Sequence, residues 1–170
     1  MKIKDLIEVD CINYKEPSMF IATSQCSFKC DKEANCQFCQ NSQLAAAPSV
    51  EISAAELWER YLNNPITSAV VIAGLEPFDA PNDLIAFLEE GRRRNVLEKK
   101  FTTIVIYTGY TEEEVCNQFD WVYEYLYYYP LIIKYGRFIP NQESHYDNTL
   151  GVTLASPNQY AKKYVVVKEN

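Results

Sequence analysis

The chain has 170 residues, 48% hydrophobic and 14% aromatic with only 5 glycines, which excludes a disordered or collagen-like chain and suits one domain, 1–170, around one core. Its 16 basic and 23 acidic residues leave a net charge of −7, unsuited to neutralising phosphates, so no nucleic acid partner is expected. No apolar run approaches the roughly 20 residues of a membrane helix, and Met1–Asp5 opens no signal peptide, so no membrane partner is expected and the reading is cytoplasmic.

In chain order, Met19-Phe20-Ile21-Ala22-Thr23 is a short apolar run suited to a buried strand. Four of the six cysteines follow it: Cys26, Cys30, Cys36 and Cys39 fall within 14 residues, in a loop spanning about 24–42. Cys11 and Cys116 stand apart and are expected as small buried side chains. Ala45–Ser49 reads as a loop, and Ser53-Ala54-Ala55-Glu56 has the spacing of a capping box. Leu57, Tyr61 and Leu62 then recur at helical spacing as far as Asn63-Asn64-Pro65. Ala69–Ala73 has the length and branching of a buried strand, and Gly74 ends it. A second helix runs from Pro81 to about Asn95, with Leu84, Phe87 and Leu88 on one face and Arg92-Arg93-Arg94 at its solvated end. Thr102–Tyr107 is a third strand, Thr111-Glu112-Glu113-Glu114 opens a third helix, and Leu131–Ile133 is a fourth strand. Leu150–Leu154 and Tyr164–Val167 are candidates for further short strands. The tyrosines between Tyr123 and Tyr129 are expected to pack in the core and at its rim, and His145, the lone histidine, to lie at the surface.

Strands alternating with helices read as α/β architecture with a parallel sheet and right-handed crossovers, because parallel neighbours need long connections. The order does not separate an open sheet from an incomplete barrel. Both gather their functional loops at the carboxyl ends of the strands, where the cysteine loop sits.

Thiolates held in one short loop converge on a metal without help from distant chain. Two arrangements meet that description. One is a structural zinc site closed by four cysteines; the other is a four-iron cluster in which three cysteines bind three irons and the fourth stays open to a ligand. At the end of the second strand, Gly74-Leu75-Glu76-Pro77 combines a glycine that admits close backbone approach with a proline that fixes the turn. An ordinary strand-to-helix turn uses the same residues. Tyr107-Thr108-Gly109-Tyr110 occupies the corresponding place on the third strand, with tyrosines that pack as readily as they bind.

Taken together, these pieces resemble the small radical S-adenosylmethionine (SAM) enzymes, and most closely the activating proteins of anaerobic ribonucleotide reductases, over about Asn13 to Gln159. Cys26-Ser27-Phe28-Lys29-Cys30 is similar to the first half of that family's cysteine motif, and Phe38-Cys39-Gln40-Asn41 to its end. Gly74–Pro77 resembles the turn that receives the amino group of SAM, and Tyr107–Thr111 a motif of the activating proteins. Gly136-Arg137-Phe138-Ile139 and Ser156-Pro157-Asn158-Gln159 resemble their carboxyl-terminal signatures.

The resemblance implies an incomplete parallel β/α barrel and a 4Fe-4S cluster held by Cys26, Cys30 and Cys39. The competing ligand set takes Cys36 in place of Cys30, since Cys36-Gln37-Phe38-Cys39 keeps the family's final spacing. Phe38 would pack near the adenine of SAM, Gly74, Leu75, Glu76 and Pro77 would hold its methionine end, and Tyr107, Thr108, Gly109 and Tyr110 would line the same mouth. No catalytic side chain is implied beyond cluster and SAM. The implied activity is reductive cleavage of SAM and formation of a glycyl radical on a partner enzyme, an anaerobic ribonucleotide reductase, with a flavodoxin or ferredoxin as electron donor. Three features depart from the pattern: the six-residue insertion Asp31–Cys36, Lys134 where an acid is usual, and Tyr160 where arginine is usual. Alternative readings are a radical SAM enzyme acting on a peptide or small molecule, and a non-enzymatic four-cysteine metal-binding adaptor.

Overall fold

The computed structural model describes residues 1–35, 37 and 39–165. The chain opens with β1 (Lys2–Asp10) and β2 (Ser18–Thr23), followed by two short helices in the cysteine region, α1 (Lys29–Ala34) and α2 (Ser42–Ala46). Next come β3 (Val50–Glu51), α3 (Ala54–Asn63), β4 (Ala69–Gly74), a 3-10 turn at Pro77–Asp79, α4 (Pro81–Arg93) and α5 (Val96–Lys99). The second half comprises β5 (Thr103–Tyr107), α6 (Glu112–Gln118), a 3-10 segment at Asp120–Tyr127, β6 (Leu131–Tyr135), β7 (His145–Asp147), β8 (Val152–Leu154) and β9 (Tyr160–Tyr164).

One sheet takes seven strands in the order β3-β1-β2-β4-β5-β6-β9. Its centre, β2-β4-β5-β6, is parallel, as the crossover pattern predicts. The sheet as a whole is mixed, because β1 runs antiparallel to β2 and β3, and β9 antiparallel to β6. The fully parallel sheet expected from the sequence therefore holds only for the four central strands. β3 and β9 are its open edges.

Alternate residues of the central strands face opposite ways, as strand geometry requires. Met19, Ile21, Val70, Ile72, Ile104, Ile106, Leu131 and Ile133 meet the crossover helices, where Leu57, Trp58 and Tyr61 of α3 and Leu84, Phe87 and Leu88 of α4 are buried. Trp58 stacks on Phe87 at 4.4 Å and donates its indole N–H to the Phe87 carbonyl at 2.7 Å. The opposite face carries Ala69, Val71, Ala73, Val105 and Ile132. No helix covers it. Instead Tyr14 packs there with Leu150 and Leu154 from the small β7–β8 hairpin, and Lys15 N donates to Leu150 O at 2.8 Å.

Two helix starts, those of α3 and α6, follow their capping residues. Thr111 and Glu114 form a reciprocal capping box on α6, whereas on α3 only half the box exists: Ser53 Oγ accepts from Glu56 N, while the Glu56 carboxylate pairs with Arg60 at 2.7 Å. Cys11 and Cys116, expected in the core, are exposed. β9 lies a few residues earlier than the strand expected at Tyr164–Val167, of which Val166 and Val167 fall outside the described residues.

Candidate metal and ligand site

Thr23 ends β2 against Gly74 of β4, so the cysteine loop leaves the sheet beside the turn that follows β4. Three contacts fix that loop. Glu76 N donates to Gln25 O at 2.8 Å, Ser27 N donates to Asp79 Oδ2 at 2.5 Å, and Asn41 Nδ2 donates to Gly74 O at 2.5 Å. Gly74 itself adopts φ +87° and lies so close to β2 that a Cβ would stand 2.9 Å from Ala22 Cβ.

Between these segments opens a cavity of about 280 Å3, close to the lower limit for small-molecule pockets. Cys26, Cys30 and Cys39 line it together with Gly74, Leu75 and Glu76 after β4 and Tyr107, Thr108 and Gly109 after β5. Nine residues singled out from the sequence thus share one cavity. Pro77 and Tyr110 do not line it. Pro77 is buried in the 3-10 turn, and the Tyr110 ring packs edge-on against Phe78 and Phe119 while its hydroxyl donates to Asp79 Oδ1 at 2.7 Å. Cys36 and Phe38 lie outside the described residues.

Glu76 is the buried carboxylate of the site, and the chain occupies it heavily. Oε1 accepts from Thr108 Oγ1 at 2.7 Å and Phe78 N at 3.1 Å; Oε2 accepts from Gly109 N at 2.7 Å. Its side chain thereby ties the turn after β4 to the turn after β5. Burial pushes its pKa up to about 7, with these hydrogen bonds opposing the rise. Burial likewise pushes the Cys26 thiol up to about 11 and raises that of Cys30, so both keep their protons until a metal displaces them.

Among the described residues, no three His, Cys, Asp or Glu side chains converge as a single ion requires. A four-iron cluster asks for a different layout, one thiolate per iron, which spreads the donors around a common space. Cys26, Cys30 and Cys39 stand on the wall of one cavity.

Site residues that the sequence did not single out for a role are Asn41, Asp79, Lys134, Arg137 and Gln159. Lys134 and Gln159 line the cavity, and burial lowers the Lys134 pKa to about 8. Arg137 grips Glu114 with two bonds of 2.8 and 2.7 Å, and its Nε stands 2.9 Å from Glu33 Oε2 of α1, an ion pair without hydrogen-bond angles. The one available signal was composition: a lysine inside the β6 run Leu131-Ile132-Ile133 is an unusual charge for a strand buried along its length.

No curated protein and no solved structure matches the chain. The family comparison does find a match, to the 4Fe-4S single cluster domain, over residues 18–159. That stretch runs from β2 to the residue before β9 and contains every residue lining the cavity except Asn13. Matched over most of its length, and with three thiols around the cavity within the match, the chain belongs to the family of 4Fe-4S single cluster domains.

Proposed function

We propose that this protein is a radical SAM enzyme that generates a glycyl radical on a partner enzyme, with an anaerobic ribonucleotide reductase as the expected partner. The observation that carries the reading is the shared cavity of Cys26, Cys30 and Cys39 with the turns after β4 and β5. Its context supports it, since 4Fe-4S single cluster domains are found in radical-SAM-like proteins. In this reading residues 1–170 form a single domain, the four parallel strands are part of an incomplete β/α barrel, and Cys26, Cys30 and Cys39 hold the cluster.

Cys26, Cys30 and Cys39 would hold a 4Fe-4S cluster, which, once reduced by an external donor, would supply the one-electron chemistry that cleaves SAM to methionine and a deoxyadenosyl radical. The chain itself binds and shields. Gly74 and Leu75 border the methionine end, and Asn41 fixes the Gly74 carbonyl. Glu76 keeps the two turns at a constant separation. Phe20, Leu44, Ala73 and Phe138 give the walls apolar surface that excludes water from the reacting atoms.

The test is anaerobic reconstitution with iron and sulfide, reduction by dithionite, addition of SAM, and quantitation of deoxyadenosine and methionine. Stoichiometric formation of both supports the reading. A glycyl radical signal by electron paramagnetic resonance, on mixing with a candidate reductase, then identifies the acceptor class. Cleavage without that signal, accompanied by modification of a peptide or small molecule, would redirect the assignment to such a substrate. One tightly held zinc and no cleavage would overturn it in favour of a metal-binding adaptor.

A further inference from the structure

Asp79 stands behind the wall of the cavity, at the end of the 3-10 turn that follows Glu76, and does not line it. Its carboxylate nevertheless reaches the cysteine loop. Oδ2 accepts from Ser27 N, the amide that directly follows Cys26, at 2.5 Å, and Oδ1 accepts from the Tyr110 hydroxyl at 2.7 Å. Among the described residues Asp79 forms no ion pair, so its charge is offset by these two neutral donors.

Phe28, the next residue along the loop, has φ +55°, in the left-handed region that a side chain disfavours, and its N–H donates to Cys26 Sγ at 3.3 Å. Such a backbone persists only where its neighbours over-determine it. Asp79 does so here, because holding the Ser27 amide turns the following N–H onto the sulfur. Charge follows the same route. Burial does most to raise the Cys26 thiol, and the Glu76 and Asp79 carboxylates add to it, so the sulfur feels the Asp79 side chain. An electron added to a cluster bound there meets the same repulsion, screened less than in bulk water.

We propose that Asp79 is a positioning residue for the cluster: it fixes the loop of Cys26 through the Ser27 amide, and its charge makes the bound cluster harder to reduce. The inference rests on the assignment of Cys26 to the cluster in the function proposed above. Asparagine at this position separates the bond from the charge. Its Oδ1 accepts from Ser27 N while its Nδ2 donates to the Tyr110 hydroxyl, a group able to accept as well as donate.

The experiment is a redox titration of the anaerobically reconstituted protein with dithionite, without SAM, read by the electron paramagnetic resonance of the reduced cluster. Asp79→Asn is expected to keep the cluster and to shift its reduction equilibrium about tenfold toward the reduced form, which is about 59 mV for one electron. Tyr110→Phe withdraws a donor and leaves the carboxylate charge less offset, so a shift of about threefold in the opposite sense is expected. General loosening of the loop would not give the two variants opposite signs. Asp79→Ala loses both bonds and is expected to release iron to a chelator about threefold faster than Asp79→Asn. Circular dichroism and iron content establish that each variant is folded and loaded; if Asp79→Asn is not, the sign found for Tyr110→Phe decides. A loaded Asp79→Asn with the wild-type potential overturns the proposal, as does Tyr110→Phe shifting toward the reduced form. Equal iron release from the Ala and Asn variants overturns the holding role. Cys26→Ser that keeps a full cluster, or wild type that takes up none, brings down the proposed function as well, which separates the two failures.

Discussion

At Gly74 the physical demand comes from the fold as much as from any ligand. The sequence reading reserves the space beside this glycine for a bound molecule, whereas Ala22 of β2 and Leu44 of α2 already occupy it, at 2.9 and 3.0 Å from where a Cβ would stand. With φ at +87° as well, Gly74→Ala meets both backbone strain and a clash, and we expect a loss of about 2–4 kcal/mol in chemical denaturation, without the cluster present. Glu76 offers a prediction of different kind. Its pKa is about 7 folded, against 4.5 for an unperturbed glutamate, so between those values the native state holds a proton that the unfolded chain has released. Native protonation exceeds unfolded protonation there, hence stability falls as pH rises through the window and levels off above about 7. Glu76→Gln should remove that fall, on the order of 3 kcal/mol, from the pH dependence of unfolding free energy measured in urea. Parallel profiles for the two proteins would show that Glu76 is an ordinary carboxylate.

Among the helices, α4 shows propensity and packing in conflict. Gly91 lies inside it, where alanine would favour the helix by about 1 kcal/mol. A Cβ there would stand 2.3 Å from the Tyr129 hydroxyl and 2.5 Å from the Trp58 ring, both fully buried and neither able to retreat. Overpacking of this kind costs about 1–3 kcal/mol or more, so packing wins and Gly91→Ala should lower the melting temperature rather than raise it. Scanning calorimetry decides the sign. The same aromatic layer explains why the tyrosine-rich stretch forms a 3-10 segment at Asp120–Tyr127: Val122 and Tyr125 turn into the core, and Tyr125 donates to Glu89 of α4 at 2.8 Å.

Over the whole molecule, stability is unevenly spread. The central strands are buried on both faces, while α1 and α2 bury no residue, and the insertion is held to the sheet side of the site by the exposed Glu33 beside Arg137. Removing iron with a chelator should therefore speed amide hydrogen exchange in residues 24–42 and leave β2, β4, β5 and β6 protected, as mass spectrometry of exchanged peptides would read. Loss of protection across the sheet would mean that the cluster holds the entire fold. The same contrast governs what could be read from sequence. Apolar, branched runs such as Ala69-Val70-Val71-Ile72 announce central strands because both faces are buried, and the cysteine spacing announces the site. Lys2-Ile3-Lys4-Asp5-Leu6 in β1 and Tyr160-Ala161-Lys162-Lys163-Tyr164 in β9 mix charges into their strands, because β9 is an edge and β1 is solvated along much of one face. Asp79 and Lys134 gained no site role from the sequence because only the crossovers bring them beside the cysteines.

The cavity joins distant parts of the chain in an unequal order. Cys26, Cys30 and Cys39 come early, whereas Lys134, Gly136 and Gln159 of the facing wall come late, the last of them just before the edge strand. Synthesis from the amino end thus releases three thiols well before there is a pocket to shelter them. During that interval they are open to stray metals and oxidants.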